Sequence, residues 1–289
     1  MPTAPVHHAN TSNGRIAYTR RGQGPTALFV HGVFVNGHLW DDVVDRVCHM
    51  RQCICPDLLA HGQSRERSGA DLSFAGHAAA LAELLDALEV DQVDLVANDS
   101  GGGIAQILAA RHPERIRSLT LTNCDTHDGW PPPAFLETHA QMAGDGGPAL
   151  LRALSANPAL VRTSFASALE FPERLDDDAI HRFIDPLVRD DDRISSLVEM
   201  FRAMNCQDTV EVEPQLRKLA APALIVWGSA DPFFDIHWAH WLRDALPNVR
   251  RLIDLPTGRL FLPLDRPDDL ATELLLHWQP ELRARLTAP

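Results

Sequence analysis

One acidic side chain, Asp99, lies at a point in the sequence where a catalytic group would be well placed. The run 95–102, Leu-Val-Ala-Asn-Asp-Ser-Gly-Gly, has the pattern of a buried strand, a sharp turn and the start of a helix. So tight a turn needs small residues two places before and two places after its apex. Ala97 and Gly101 meet this need if Asp99 is the apex, whereas an apex at Ser100 puts an asparagine in one of these places. The apex side chain then stands beside a helix N-terminus, where free N–H groups stabilise negative charge, although an aspartate there can also serve only as a helix N-cap.

Alternating strand and helix patterns surround this turn. Runs of β-branched and other apolar residues predict buried strands at Thr26–Val30, 93–97 and 223–227, with longer helical patterns between them. Apolar residues recur at helical spacing over 74–88, and Ser73 stands where the N-cap of that helix is expected. This order of elements predicts an α/β fold with a mostly parallel sheet.

The strand signals stop in the middle of the chain. Three consecutive prolines follow residue 130, and the sequence then reads as several short amphipathic helices. We interpret 128–207 as a helical cap inserted into one α/β core, which is made of 1–127 and 208–289. A chain of 289 residues suits a single core with such an insertion.

Composition and charge exclude some classes of partner. The chain has 39 acidic and 26 basic residues, a formal net charge of -13, which argues against nucleic acid or an anionic membrane surface because both bind basic surfaces. Five cysteines, in neither a CxxC nor a metal-binding spacing, predict reduced thiols and no metal site. The N-terminus has no signal-peptide pattern and no apolar run is long enough to span a bilayer. We therefore expect a cytoplasmic protein that acts on a small molecule without a cofactor, and the oligomeric state stays open.

The chain resembles the α/β-hydrolase superfamily over nearly its whole length, in the branch whose nucleophile is an aspartate. The superfamily's usual run of strand, Gly-His-Ser-x-Gly-Gly and helix aligns without a gap and puts Asp99 under the nucleophile. This resemblance implies a mostly parallel, eight-stranded sheet with flanking helices. His31 and Gly32 are similar to the superfamily's turn after the third strand, which implies that the N–H groups of Val33 and Ser100 form an oxyanion hole.

The same resemblance implies two positions for the acid of a catalytic triad. Asp231 follows the strand at 223–227 and precedes a proline, as is frequent for that acid, whereas Asp125 follows the preceding strand, at a position that some dehalogenases use. We favour Asp231, although either aspartate can also be a surface residue that caps a turn. In this branch the nucleophilic aspartate attacks an sp³ carbon and leaves a covalent ester, and a histidine oriented by the acid activates water to cleave it.

The histidine that the resemblance implies is missing from its usual place. The superfamily's run before the last helix is similar to G-H-F-x-x-x-E-x-P, and counting back from Pro267 puts Leu260 in the histidine position. Three explanations stay open. Another of the 14 histidines acts as the base, with His127 just past a strand end as the first candidate and His237 and His240 behind it. Alternatively, Leu260 is an introduced replacement that traps the ester, or the protein uses no covalent hydrolytic route.

The substrate-holding groups of the related branches are also absent. Haloalkane dehalogenases usually hold the halide with a tryptophan after the nucleophile and often an asparagine after the His-Gly turn, where this chain has Ser100 and Val33. Epoxide hydrolases usually have two tyrosines in the cap, and the one tyrosine of this chain, Tyr18, is close to the N-terminus. The resemblance therefore extends to the scaffold and the nucleophile, and the substrate remains open.

The leading hypothesis is a dehalogenase-like hydrolase that acts through Asp99 on a small, fairly apolar molecule and cleaves a carbon–halogen, ester or epoxide bond. We expect Phe34, Trp130 and Leu260 to line its pocket and the helical insertion to close over it. One alternative is a cofactor-free lyase, isomerase or cyclase in which Asp99 is a general acid or base. Another is a ligand-binding protein of the same fold without turnover.

Overall fold

The computed structural model describes residues 4–279, and its strands form one sheet. The strands are β1 (Val6–Thr11), β2 (Gly14–Arg21), β3 (Thr26–Val30), β4 (Gln52–Pro56), β5 (Arg65–Glu66), β6 (Val93–Asp99), β7 (Ile116–Cys124), β8 (Ala223–Gly228) and β9 (Val249–Leu255). Eight strands follow the order β1-β2-β4-β3-β6-β7-β8-β9, and the two-residue β5 pairs with β2. The pairs that involve β1 and β2 are antiparallel, and all the pairs from β4 to β9 along that order are parallel. The predicted fold class, with its mostly parallel eight-stranded sheet, is confirmed.

Helices lie between the strands, as the sequence pattern predicts. They are α1 (Asp41–Val47), α2 (Phe74–Ala87), α3 (Ser100–Arg111), α4 (Leu136–Ala143), α5 (Gly147–Ala156), α6 (Pro158–Phe165), α7 (Asp177–Val188), α8 (Asp191–Ala203), α9 (Gln207–Glu211), α10 (Glu213–Leu216), α11 (Ile236–Ala245), α12 (Leu262–Asp265) and α13 (Pro267–Trp278). The Ser73 hydroxyl accepts a hydrogen bond from the N–H of Gly76, so the predicted N-cap of α2 is confirmed. Within residues 4–279, no helix is both long and apolar enough to cross a membrane.

The central strands of the sheet end at one edge, where several predicted site residues lie. All residues of β3, β6 and β8 are buried, as expected for parallel strands that helices cover on both faces. Because β3, β6, β7 and β8 are parallel neighbours in the sheet, the segments that follow them lie along the same edge. Val33, Asp99, Asp125 and Asp231 lie at the ends of these four strands or shortly after them, so the fold gathers four of the predicted site residues at one edge.

A helical segment separates β7 from β8. It contains α4 to α10; α4, α5, α7 and α8 pack against one another, whereas α9 and α10 pack against α3 next to the sheet. The predicted boundaries at 128 and 207 enclose α4 to α8, and the division into cap and core stays a prediction. All five cysteines are free thiols, and Cys53, Cys55 and Cys124 are buried.

Candidate active site

Asp99 occupies the apex of the turn between β6 and α3. It is the last residue of β6, and its φ of 57° and ψ of -140° form a conformation that is uncommon for a residue other than glycine. Gly101 must be small, because a β-carbon there would lie 2.4 Å from the carbonyl oxygen of His31 and 2.6 Å from that of Val30. The strained backbone conformation of Asp99 persists only because the surrounding structure enforces it. It directs the Asp99 side chain toward the cavity described below.

Backbone N–H groups hold the Asp99 carboxylate in place. The N–H of Val33 donates a hydrogen bond to Oδ2 at 3.0 Å, and the N–H of Ser100 also binds the carboxylate. Gly32 provides the space for this contact, since a β-carbon at Gly32 would lie 2.2 Å from Asp99 Oδ2. The two residues proposed for an oxyanion hole are therefore the ones whose N–H groups meet the side chain at the apex. The positive end of α3 lies beside them and favours negative charge at this position.

A cavity of about 270 Å³, whose lining includes Asp99, is mostly apolar and rich in aromatic side chains. The aromatic residues that line it are Phe34, Trp130, Phe135, Phe165, Phe233, Phe234 and Phe261. Its polar lining residues Thr138, Gln141, Ser164 and Ser167 come from the segment between β7 and β8. Within the described part of the chain, Asp99 is the one ionisable side chain of the lining. The structure brings Phe34, Trp130 and Leu260, the three predicted pocket residues, into this lining.

Leu260 lines the same cavity as Asp99, and its backbone is hydrogen-bonded to the turn that carries Asp99. The side-chain amide of Asn98, the residue before the apex, donates to the carbonyl oxygen of Leu260 at 2.8 Å. The Leu260 side chain itself offers no proton acceptor. All 14 histidines of the chain fall within residues 4–279, and none of them lines the cavity. The cavity therefore lacks the general base that a histidine would supply.

Asp231 is buried at the end of β8, and other groups satisfy its carboxylate. Oδ2 accepts a hydrogen bond from Asn123 Nδ2 at 2.8 Å, and Oδ1 accepts one from the N–H of Phe233 at 2.9 Å. Asn123 also accepts from the N–H of Gly228 and donates to its carbonyl oxygen, at 2.7 and 2.9 Å. Sequence reasoning missed Asn123, although a polar side chain near the end of the buried strand β7 was a signal that it needs a specific partner.

Asp125 is buried directly after β7, and its surroundings differ from those of Asp231. Its side chain is outside the cavity lining, and within the described residues neither carboxyl oxygen has a hydrogen-bond partner. Burial, helped by the nearby charge of Asp99, raises the pKa of Asp125 well above its usual value and favours the neutral acid. A carboxyl group in this state is a poor orienting partner for a base, whereas the Asp231 carboxylate is held by hydrogen bonds; the role of Asp231 as the acid stays a prediction.

The structure does not bring His127 into the cavity, where the sequence analysis had placed its first candidate base. Nε2 of His127 lies 3.0 Å from Oε2 of Glu213, and Nδ1 lies 3.1 Å from Oδ1 of Asp128. The imidazole also packs against Trp241, with the ring centroids 4.8 Å apart. Carboxylates therefore engage both ring nitrogens, one at the start of α10 and one in the turn after β7, and the side chain lies outside the cavity lining.

The buried carboxyl groups have raised pKa values. Burial is the largest cause of the rise to about 7 at Asp99, where the negative charge of Asp231 adds to it and the N–H groups of Ser100 and Val33 oppose it. Burial also raises the pKa of Asp231 to about 7, against the hydrogen bonds from Phe233 and Asn123. Asp99 is consequently present in both its ionised and its neutral form near neutral pH.

Comparison with known proteins agrees with this architecture. In a haloalkane dehalogenase of Mesorhizobium japonicum, 107 residues are 40% identical, which is 37% of this chain and 34% of the relative. The chain thus matches about a third of the length of that relative, whereas haloalkane dehalogenase 2 of Mycobacterium tuberculosis is 26% identical over 92% of both chains.

Solved structures extend the comparison to the fold. Haloalkane dehalogenase DbeA from Bradyrhizobium elkani has a TM-score of 0.80 at 23% identity, over 97% of this chain and 99% of that chain. The epoxide hydrolase CorEH also has a TM-score of 0.80, at 20% identity, over 96% of this chain and 99% of that chain. At these identities the likeness shows the fold alone. The model of the α/β hydrolase fold family matches residues 25–265, and because this match covers most of the chain, the protein belongs to that family.

Proposed function

We propose that this protein is an enzyme of the hydrolase family that captures a small, apolar, electrophilic substrate as an ester on Asp99. The observation that carries this proposal is the placement of the Asp99 carboxylate, which lies at the apex of the turn, bound by backbone N–H groups and open to an aromatic cavity. Relatives named haloalkane dehalogenase support the same reaction class.

In the proposed reaction a carboxylate oxygen of Asp99 attacks an sp³ carbon of the substrate. A new carbon–oxygen bond forms as the bond from that carbon to its leaving group breaks, and a halide departs with the electron pair. With an epoxide, the ring oxygen receives the electron pair and takes a proton from water. The apolar lining supports a neutral substrate, since apolar surface buried in the cavity contributes about 25 cal/mol per Å².

The second half of a hydrolytic cycle lacks its base. Cleavage of the ester requires a water molecule that loses a proton as it attacks the carboxyl carbon, and the side chain at the usual histidine position is that of Leu260. Within the described residues the cavity lining holds no second ionisable side chain that accepts this proton. We therefore expect the ester on Asp99 to accumulate, so that capture is stoichiometric and turnover is slow.

Within the described residues, no cationic side chain of the cavity lining donates to a leaving group, and the side-chain donors are hydroxyl and amide groups. The indole N–H of Trp130 is already committed to the carbonyl oxygen of Met204 at 3.2 Å. A leaving group that is stable without donated hydrogen bonds should consequently react best, which favours iodide over chloride.

The experiment is intact-mass measurement after incubation with 1-iodobutane, 1-chlorobutane, benzyl bromide and styrene oxide, followed by peptide mapping. The expected result is one adduct per chain on the peptide that contains Asp99. Because an alkyl halide can also label the partly buried thiols of Cys48 and Cys206, the adduct is treated with hydroxylamine, which cleaves an ester and leaves a thioether intact.

Two matched variants serve as controls. Asp99→Asn removes the nucleophile and is expected to abolish the hydroxylamine-sensitive adduct, whereas Asp145→Asn makes the same change at an exposed carboxylate outside the cavity lining and should leave it. Labelling that persists in Asp99→Asn would contradict the proposal. Rapid catalytic product release without any adduct would contradict the expected accumulation.

A second function, proton transfer without a covalent bond, is favoured by one specific observation. Asp99 has a pKa raised to about 7 and lines a cavity that no histidine lines, and such a carboxyl group suits a general acid or base in a lyase, isomerase or cyclase. Product formation that is lost in Asp99→Asn, with no adduct at any time, would favour this function. If neither adduct nor product appears with any probe, a ligand-binding role is the remaining interpretation.

A further inference from the structure

We propose that the same cavity binds small organic cations, in which an ammonium group sits on an apolar body, with Asp99 as the counter-ion. This inference goes beyond the covalent capture proposed above and does not require it, because it concerns the charge and the lining of the cavity. It identifies a class of ligand that would act as substrate or as competitive inhibitor of the site.

The charge balance around Asp99 favours a cationic ligand. Asp99, Asp125 and Asp231 are all buried at the same edge of the sheet, so three carboxyl groups are gathered there. Within residues 4–279 the cavity lining contains no arginine, lysine or histidine. Arg259 acts on Asp231, but its guanidinium donates to the carbonyl oxygen of Ser167 and stays outside the lining. The ionised form of Asp99 is thus buried with backbone N–H donors but without a cationic side chain in the lining, so a cationic ligand would add charge compensation that the lining does not provide.

The cavity walls contain several aromatic rings that can contact a cation. Phe34 and Phe165 have ring centroids 6.2 Å apart, and Phe165 and Phe261 are stacked with centroids 6.0 Å apart. With Trp130 and Phe135 they line the cavity that Asp99 also lines. Aromatic rings attract a cation through their quadrupole, most strongly when the cation has lost its water. A lining of aromatic rings around a single carboxylate is the chemistry that recognises a substituted ammonium group.

The size and polarity of the cavity suit a small organic cation. A volume of about 270 Å³ accommodates one small molecule. An alkylated or aryl ammonium ion fits this lining better than a metal cation, because its methyl groups bury apolar surface against the phenylalanines and require no oxygen ligands. The net charge of -13 further raises the local concentration of any cation near the protein.

The test compares two probes of the same shape, trimethylanilinium and tert-butylbenzene, which differ by a charged nitrogen in place of a carbon. Their dissociation constants are measured on the full chain at a pH above 8, by titration calorimetry or by ligand-observed magnetic resonance. We expect the cation to bind more than about tenfold more tightly than the neutral probe. Equal affinities, or a preference for tert-butylbenzene, would overturn the inference.

Two variants assign the effect to the proposed groups. Asp99→Asn is expected to weaken trimethylanilinium by about tenfold or more while tert-butylbenzene, which reports that the cavity is intact, changes by less than about twofold. Phe165→Leu keeps an apolar side chain and should weaken the cation by about threefold or more, and the neutral probe by less. A cation preference that survives Asp99→Asn unchanged would show that Asp99 is not the counter-ion.

The two proposals fail separately. Trimethylanilinium should slow the labelling of Asp99 by 1-iodobutane, because both need the same cavity. If labelling occurs but the cation neither binds nor protects, the cation site is wrong and covalent capture stands. If the cation binds and Asp99 is never labelled, covalent capture is wrong and the cation site stands.

Discussion

Replacing Leu260 by histidine should convert a protein that captures its substrate into one that turns it over. Leu260 lines the cavity together with Asp99, and the hydrogen bond from Asn98 fixes its backbone. Asp99 ends β6 and Asp231 follows β8, so both carboxyl groups lie at the same edge of the sheet. A carboxylate accepts more than one hydrogen bond per oxygen, so Asp231 can orient an imidazole at position 260 and keep its bonds to Asn123 and Phe233.

The expected magnitudes follow from burial and from general-base catalysis. Loss of the buried Leu260 side chain costs about 2–3 kcal/mol of folding free energy, and a hydrogen bond to the Asp231 carboxylate returns about 1.5–3 kcal/mol. The variant should therefore fold. A positioned base accelerates the step that it serves by about 10²–10⁴-fold, which corresponds to about 3–5 kcal/mol of activation free energy.

The assay follows the decay of the ester after excess alkyl iodide has been removed. Intact mass gives the rate of decay, and the experiment is run in water enriched in ¹⁸O. If water attacks the carboxyl carbon, the heavy oxygen enters the Asp99 peptide, and the first alcohol released carries an oxygen that came from Asp99. Leu260→Gln is the matched control, since it places a polar side chain at the same site without a base.

One result would refute this reasoning. If the ester in Leu260→His decays no faster than in Leu260→Gln, and thermal unfolding shows that both variants are folded, the missing base is not what stops the cycle. Adding Asp231→Asn to Leu260→His should also slow the decay, by about 10²-fold or more. No slowing would mean that Asp231 is not the orienting acid.

Four further predictions concern Asp99 and the residues around it. The rate of capture should rise with pH through about 7, as Asp99 ionises, and a rate that stays flat between pH 5 and 9 would contradict this. The pKa of Asp99 is about 7 in the folded state and 3.8 ordinarily, so the folded state binds more protons than the unfolded state between these two pH values. Denaturant titrations should therefore show the free energy of unfolding falling as pH rises from about 4 to about 7. The fall should be smaller in Asp99→Asn. Gly32→Ala should abolish the adduct while leaving the protein folded by circular dichroism, since the new β-carbon would lie 2.2 Å from Asp99 Oδ2; normal labelling would show that the carboxylate can relocate. His127→Ala should label at the wild-type rate and give an equally long-lived ester, because its ring pairs with Glu213 outside the cavity; slower labelling would restore His127 as a catalytic residue.

The amino-acid sequence by itself determined those features that depend on residues close together in the chain. The small residues around Asp99, the N-cap at Ser73 and the apolar runs of the strands all act over a few positions, and the structure has them where the patterns predict. Strand β6 continues to Asp99, beyond the predicted 97, because β7 pairs with it as far as Cys124. The absence of histidine at position 260 was likewise visible from local spacing.

The tertiary structure alone decided what surrounds the nucleophile. It directs His127 to Glu213, satisfies Asp231 through Asn123, and leaves both oxygens of Asp125 without a partner within the described residues. Each of these outcomes depends on how groups far apart in the sequence are buried together. The ionisation of Asp99 also depends on burial, since the loss of water around the carboxyl group is the largest cause of its raised pKa. A linear pattern can name a nucleophile, but its protonation state and its partners depend on desolvation and on contacts that exist only once the chain is packed.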